Sequence, residues 1–178
     1  DGSLSLPKSV KEIGTSCFSG CCNLAGQLKL PLDITFVGSE AFAGCEHFSG
    51  NLDIPESLTI IRSGSFSGCS SMNKVLSIPE TVKTIEKGAF LGTTFKSVIY
   101  KGNNSPTCDD SIGLPSGIVV TVNEQFTDNS FCSYKVSNDI NHDNDDDDGK
   151  SSNSKHKMSK GALAALIIVL LLVVVYQL

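Results

Sequence analysis

Proline recurs at Pro7, Pro31, Pro55 and Pro79, a constant step of 24 residues, and the first 97 residues keep that step in several residue types at once. Phenylalanine follows it at Phe18, Phe42, Phe66 and Phe90, and glycine at Gly20, Gly44, Gly68 and Gly92. Aliphatic side chains hold four rows: Leu4, Leu28, Leu52, Leu76; Leu6, Leu30, Ile54, Ile78; Val10, Ile34, Leu58, Val82; and Ile13, Val37, Ile61, Ile85. Cys21, Cys45 and Cys69 form a row that ends in Thr93. Leu24, Phe48 and Met72 form another, whose fourth member, Phe95, comes one residue early. Chance or compositional bias does not hold so many residue types in one register.

A fixed period with a Leu-x-Leu core predicts a leucine-rich-repeat solenoid, with one coil per repeat. In each Leu-x-(Leu/Ile)-Pro segment the two aliphatic side chains lie two residues apart, so a strand points both at one face. Lys29, Asp53 and Ser77 stand between them and face out. Proline has no N–H and ends the strand. The spacing of Val10 and Ile13, repeated in each copy, predicts a short helical turn or irregular coil returning to the core. The phenylalanine then plugs the far side, and the glycine after it lets the chain bend back. One coil cannot cover its own apolar face, so stacked coils must share one column.

The motif also resembles a known family. IPESLTIIRSGSFSGC (54–69) and IPETVKTIEKGAF (78–90) carry the Ile-Pro-x-x-(Val/Leu)-x-x-Ile-x-x-x-(Ala/Ser)-Phe-x-Gly-Cys pattern of BspA-type leucine-rich repeats. LPLDITFVGSEAFAGC (30–45) is nearly regular, whereas LPKSVKEIGTSCFSGC (6–21) has Cys17 where the family prefers Ala. The resemblance implies a cell-surface protein of the kind found in bacteria and parasitic protists. It also implies partners among host or extracellular-matrix proteins, fibronectin among them.

After Phe95 the period fails. Residues 97–100 and 118–122 read as strands, rich in β-branched residues. Residues 97–137 are expected to form a C-terminal β cap over the four repeats of residues 1–96, because terminal coils need a polar outer face. Cys108 and Cys132 bracket the second of these strands and are a disulfide candidate in an oxidising compartment, with two buried thiols as the alternative. Seven cysteines leave at least one thiol free or paired between chains. Residues 138–160 are acidic and polar and are expected to be a disordered stalk. The last segment, 161–178, is expected to be a transmembrane helix or a glycolipid-anchor signal, since Ala162–Leu178 carries no charge. Small residues at 151–154 followed by a polar spacer suit the anchor signal. The first residue is Asp and lies inside a repeat, so the fragment is expected to associate or to need upstream coils.

Charge and residue chemistry narrow the function. With 14 Lys+Arg against 19 Asp+Glu, the net charge of 14 − 19 = −5 argues against a nucleic-acid partner. The only histidines are His47, His142 and His156, and no nucleophile–base–orienter set accompanies them, so no enzyme, catalytic residue or cofactor is expected. His47 shares a turn with Cys45, but Asn23 and Ser71 hold the same place in other copies. Cys17, Cys21 and Cys22 are spaced like metal ligands, yet Cys21 belongs to the inward row, so no metal is expected. Asn144, Asp146, Asp148 and Gly149 match the start of a calcium loop, but Lys155 stands where a bidentate Glu is needed. Asn103-Asn104-Ser105 is a glycosylation sequon, making Asn103 a glycan candidate. A binding surface is expected on the strand face, at Gln27, Lys29, Asn51, Asp53 and Ser77.

Three functions remain. The first is a membrane-anchored adhesin on the extracellular face of the plasma membrane. The second is a structural coat protein that packs side by side and binds no host ligand. The third is a cytoplasm-facing tail-anchored scaffold, which the basic flank Lys155, Lys157 and Lys160 before the apolar run favours.

Overall fold

A computed structural model describes residues 2–138. The expected stalk, the calcium-like run and the apolar terminal segment lie outside these residues. Among the described residues no helix is long and apolar enough to cross a membrane.

Among the described residues ten short strands wind into a parallel solenoid: β1 (Glu12–Ile13), β2 (Phe36–Val37), β3 (Leu52–Asp53), β4 (Ile60–Ile61), β5 (Val75–Ile78), β6 (Thr84–Ile85), β7 (Ser97–Tyr100), β8 (Thr107–Cys108), β9 (Val120–Val122) and β10 (Val136–Ser137). A five-stranded sheet runs β3-β5-β7-β9-β10, in that spatial order. The β1-β2 pair and the β4-β6-β8 sheet occupy a second position in the coil. Every strand pair is parallel, as expected when each coil repeats the direction of the one before.

The second position refines the expected helical turn or irregular coil into one turn followed by a short strand. The Val10 N–H donates to Pro7 O at 3.0 Å, and Ile34, Leu58 and Val82 donate likewise to Pro31, Pro55 and Pro79, but this closes one turn only. The chain then extends, and Ile61 pairs with Ile85 in a parallel ladder. The residues there are Phe-Val, Ile-Ile and Thr-Ile. β-Branched side chains favour strands. An isolated helical turn would also leave most of its backbone groups unpaired, whereas an extended stretch pairs with a neighbouring coil in β1-β2 and in β4-β6-β8.

A third ladder follows the phenylalanines. The N–H groups of Phe18, Phe42, Phe66 and Phe90 donate to the carbonyls of Ala41, Ser65, Ala89 and Ile112 on the next coil, at 2.8–2.9 Å. Their rings lie in one file, with centroids 5.3, 5.7 and 6.0 Å apart and planes within 8° of parallel. Phe48 meets Phe42 edge-on, and Phe95 meets Phe90 the same way, so the early Phe95 still fills its row. Gly20, Gly44, Gly68 and Gly92 all have φ between 70° and 77°. A Cβ on Gly68 would lie 3.2 Å from the Gly44 nitrogen, so a side chain at that position displaces its neighbour.

The sheet does not stop at residue 96. β7 pairs with β5 over four residues, and β9 pairs with β7 over three. The segment expected to cap the solenoid is itself wound as solenoid, in shorter coils. The inward residues Leu76, Val98, Val120 and Val136 are 22, 22 and 16 residues apart. The period fails there because loops shorten, while the strands stay in register. The phenylalanine file does end: Gly113 follows Ile112 where a fifth ring would stand, and Ile112 and Leu114 close the column from either side.

Candidate protein-interaction face

Strand alternation separates scaffold from surface. Leu52, Leu76, Val98 and Val120 are fully buried. Between and beyond them, Asp53, Ser77, Ile99 and Thr121 form one outward row, in register from coil to coil. Lys29 precedes Asp53 in the same row by the 24-residue step. A second outward row contains Gln27, Asn51, Val75, Ser97 and Val119.

The structure divides the five expected face residues. Gln27, Lys29 and Asp53 are exposed, and Asn51 and Ser77 are half-buried. Gln27 and Asn51 have structural duties. The Gln27 side-chain amide donates to Asn51 O at 3.4 Å, and Asn51 Oδ1 accepts the Val75 N–H at 3.2 Å. The Gln27 contact spans a step where backbone pairing is missing, and the Asn51 contact extends the β3-β5 ladder by one residue. Among the described residues no backbone hydrogen bond joins 27–31 to 51–55; the flanking links are Ser49 N–H to Gly26 O and Ser57 Oγ–H to Leu32 O. In the gap an open groove of about 610 Å³ forms, floored by Leu28, Leu30 and Ile54 and rimmed by Lys29, Asp53 and Glu56.

Apolar members of the face escaped the sequence reading. Ile99 is 36% exposed, Val119 45% and Leu32 83%. The face therefore grades from charged at Lys29 and Asp53 to uncharged and β-branched at Val75, Ile99 and Val119. The signal was present in SVIY (97–100), where an isoleucine occupies the outward place held by Lys29, Asp53 and Ser77 in earlier coils. It was hidden because the 24-residue register no longer applied.

The cysteines fall into three groups. Cys45 and Cys69 are buried, and their thiols donate to the carbonyls of Phe18 and Phe42 at 3.0 and 3.3 Å. Burial pushes the Cys69 thiol up to about 12, with the neighbouring Cys45 adding to the rise. Burial also raises Cys45. Thiols held protonated in this way are poor nucleophiles and poor metal ligands. Cys17 and Cys22 are exposed free thiols and Cys21 is half-buried. Cys108 and Cys132 form a disulfide with their Cα atoms 5.5 Å apart. Among the described residues no group of three or more His, Cys, Asp or Glu is placed to hold a metal ion.

His47 does not pair with the Cys45 thiol. Its Nδ1 lies 2.6 Å from Cys22 O and donates to it, tying one coil to the one before. Asn103 is half-buried, its Oδ1 accepting from Asn123 Nδ2 at 3.1 Å, and the sequon hydroxyl of Ser105 accepts the Cys132 N–H at 3.1 Å. Tyr100 is raised above its ordinary value by burial first, then by Glu80 and Asp128. Its hydroxyl donates to Asn104 O at 2.7 Å. The His47, Asn103 and Ser105 bonds fasten coils together, and the Tyr100 bond closes a turn within one coil.

Residues 2–112 match the family model described as BspA type Leucine rich repeat region, with 6 copies. The chain belongs to this family. The match runs past residue 96 and takes in β7 and β8, in agreement with the continuous ladder. Comparison with curated proteins finds no match. BspA-type repeats are a protein-interaction fold, typically non-enzymatic, and the separation of inward scaffold from outward face seen here suits that role.

Proposed function

We propose that the protein is a membrane-anchored cell-surface adhesin whose five-stranded sheet face binds host or extracellular-matrix proteins. The observation that carries the reading is the face itself. A fixed column of buried Leu, Val, Ile and Phe holds outward residues whose chemistry changes from coil to coil. Lys29 and Asp53 supply charge at one end, and Ile99 and Val119 supply apolar area at the other, the mixture that protein interfaces use at rim and centre. The uncharged run Ala162–Leu178 supports attachment to a membrane. On the secretory route that this reading requires, Asn103 is a glycan acceptor.

The test is adhesion of the full chain, reconstituted in vesicles, to host cells and to purified matrix proteins. Binding that falls at least tenfold in Ile99→Asp/Val119→Asp, with the thermal midpoint unchanged, is the expected result. Binding equal to protein-free vesicles ends the adhesin reading and favours a coat protein. The basic flank Lys155, Lys157 and Lys160 favours a second reading, a cytoplasm-facing scaffold. Protease added outside intact cells separates the two, because an external solenoid is digested and an internal one survives.

A further inference from the structure

We propose that the Cys108–Cys132 disulfide is a redox clamp: it holds a strained terminal turn closed, and its reduction releases residues 123–138 while the N-terminal coils stay wound. Phe131 and Tyr134 exchange both backbone hydrogen bonds, at 3.1 and 2.7 Å, closing a two-residue hairpin. The residues between them, Cys132 and Ser133, have φ of 47° and 74°. Positive φ at both central positions is what a type I′ turn requires, and Asn-Gly or Gly-Gly usually supply it. Here two L residues with side chains occupy the left-handed region, at a cost that the surrounding structure must offset.

Besides the disulfide, this coil is tied by the Asn123 side-chain amide to the carbonyls of Lys101 and Gly102, by the Thr127 N–H to Asn103 O, by the Cys132 N–H to Ser105 Oγ and by the Tyr134 hydroxyl to Leu114 O. β10 pairs with β9 through two residues only, Val136 with Val120 and Ser137 with Thr121. Asp128 accepts the Ser105 N–H and Thr127 accepts from Asn104, but both bonds are exposed. Phe131 is the one fully buried large side chain in the segment, packed on Tyr100 with centroids 4.8 Å apart, and Phe126 is half-buried against the same ring. No phenylalanine file reaches this far. Sparse apolar burial and exposed hydrogen bonds mark a segment that opens locally.

The chemistry is thiol–disulfide exchange with a dithiol reductant. Its thiolate attacks one sulfur of the half-exposed Cys108–Cys132 bond and forms a mixed disulfide, expelling the other cysteine as a thiol. The second thiol of the reductant then displaces the first cysteine. Two electrons and two protons pass to the protein, and the reductant leaves as a disulfide. With the 24-residue loop no longer closed, the strained turn relaxes. β9 then becomes the edge of the sheet, with Val120, Val122 and Tyr100 uncovered, a template for a strand of another chain.

The experiment is hydrogen exchange with mass spectrometry on the full chain in detergent micelles, before and after a small dithiol. The expected result is a loss of protection on the order of 100-fold in 123–138, with peptides from 28–98 unchanged. Cys108→Ser/Cys132→Ser should show the same release without reductant. Ser133→Gly, which accepts the left-handed turn freely, should recover about fivefold protection in the reduced protein. Unchanged exchange in 123–138 after reduction overturns the clamp, as does an equal loss over the whole solenoid. Release as wide in Ser133→Gly as in the parent overturns the role of the strained turn.

Discussion

Between Phe18 and Phe90 successive coils are joined by stacked rings, buried thiols and the unbroken phenylalanine backbone ladder, all on one 24-residue step. Beyond Cys108 the same sheet continues, but the coils shorten, the rings no longer repeat, and a disulfide with several exposed side-chain hydrogen bonds ties the turns down. The first region spreads its stability over identical contacts, as nearest-neighbour repeats do. The second concentrates it in a few unique ones. Periodicity is thus one way to hold a solenoid, and covalent closure of a shorter coil is another.

Substitutions can break this comparison, and the largest effect should come from the middle of the file. Phe66→Ala removes a fully buried ring that stacks on both neighbours. It should cost about 3–5 kcal/mol, with urea unfolding shifted for the whole N-terminal region. Removal of the disulfide by Cys132→Ser should cost roughly 3 kcal/mol, read in a tryptic digest as early cleavage near Lys135 and not in the repeats. Equal damage to both regions from either change would show that they unfold as one body.

Gly102→Ala tests the second region without touching its sulfur. An added Cβ would lie 2.3 Å from the Tyr100 hydroxyl, so the ring must leave its seat under Phe131. A loss of about 1–3 kcal/mol is expected, measured by denaturant midpoint. In the first region Ser65 is the weak point. It stands in the row of Ala41 and Ala89, fully buried, and its hydroxyl has no partner. Ser65→Ala should raise stability by about 1 kcal/mol. The smallest change, within about 0.5 kcal/mol, should follow Lys29→Ala or Asp53→Ala, whose side chains face solvent.

Alkali should also separate the regions. The folded state holds the Cys69 proton up to about 12, against 9.0 for the free thiol. The stability it contributes is fully present below pH 9 and is lost as pH rises toward 12. Unfolding midpoints measured across that window should fall, and Cys69→Ala should flatten the decline. Tyr100, raised by burial, gives the C-terminal coils an alkaline loss of the same sign, with its onset above its ordinary value of 10.0.

The rows of Leu, Phe, Cys and Gly made the first coils legible, because each repeat meets the same neighbour and must solve the same packing problem. The candidate face was half legible. Alternation marks Lys29 and Asp53 as outward, but nothing local shows that Gln27 and Asn51 turn their amides onto the next coil. Ile99 and Val119 were missed because their outward direction depends on pairing with β5 and β9, not on a repeat. The choice between a helical turn and an irregular coil was open in the sequence for a similar reason. An i, i+3 spacing suits a helix or a bend between strands, and only the neighbouring coil chooses.

The sequence by itself determined that the chain winds, how long each of the first four coils is, and which side chains fill their column, because apolar residues at a fixed period have no other way to leave water together. Only the tertiary structure decided where the backbone pairs, that the winding continues through the shortened coils, and that the last turn is closed by Cys108 and Cys132. Backbone hydrogen-bonding groups are the same for every residue type but proline, so outside the prolines they leave little mark in the amino-acid code. They are allotted once coils lie side by side.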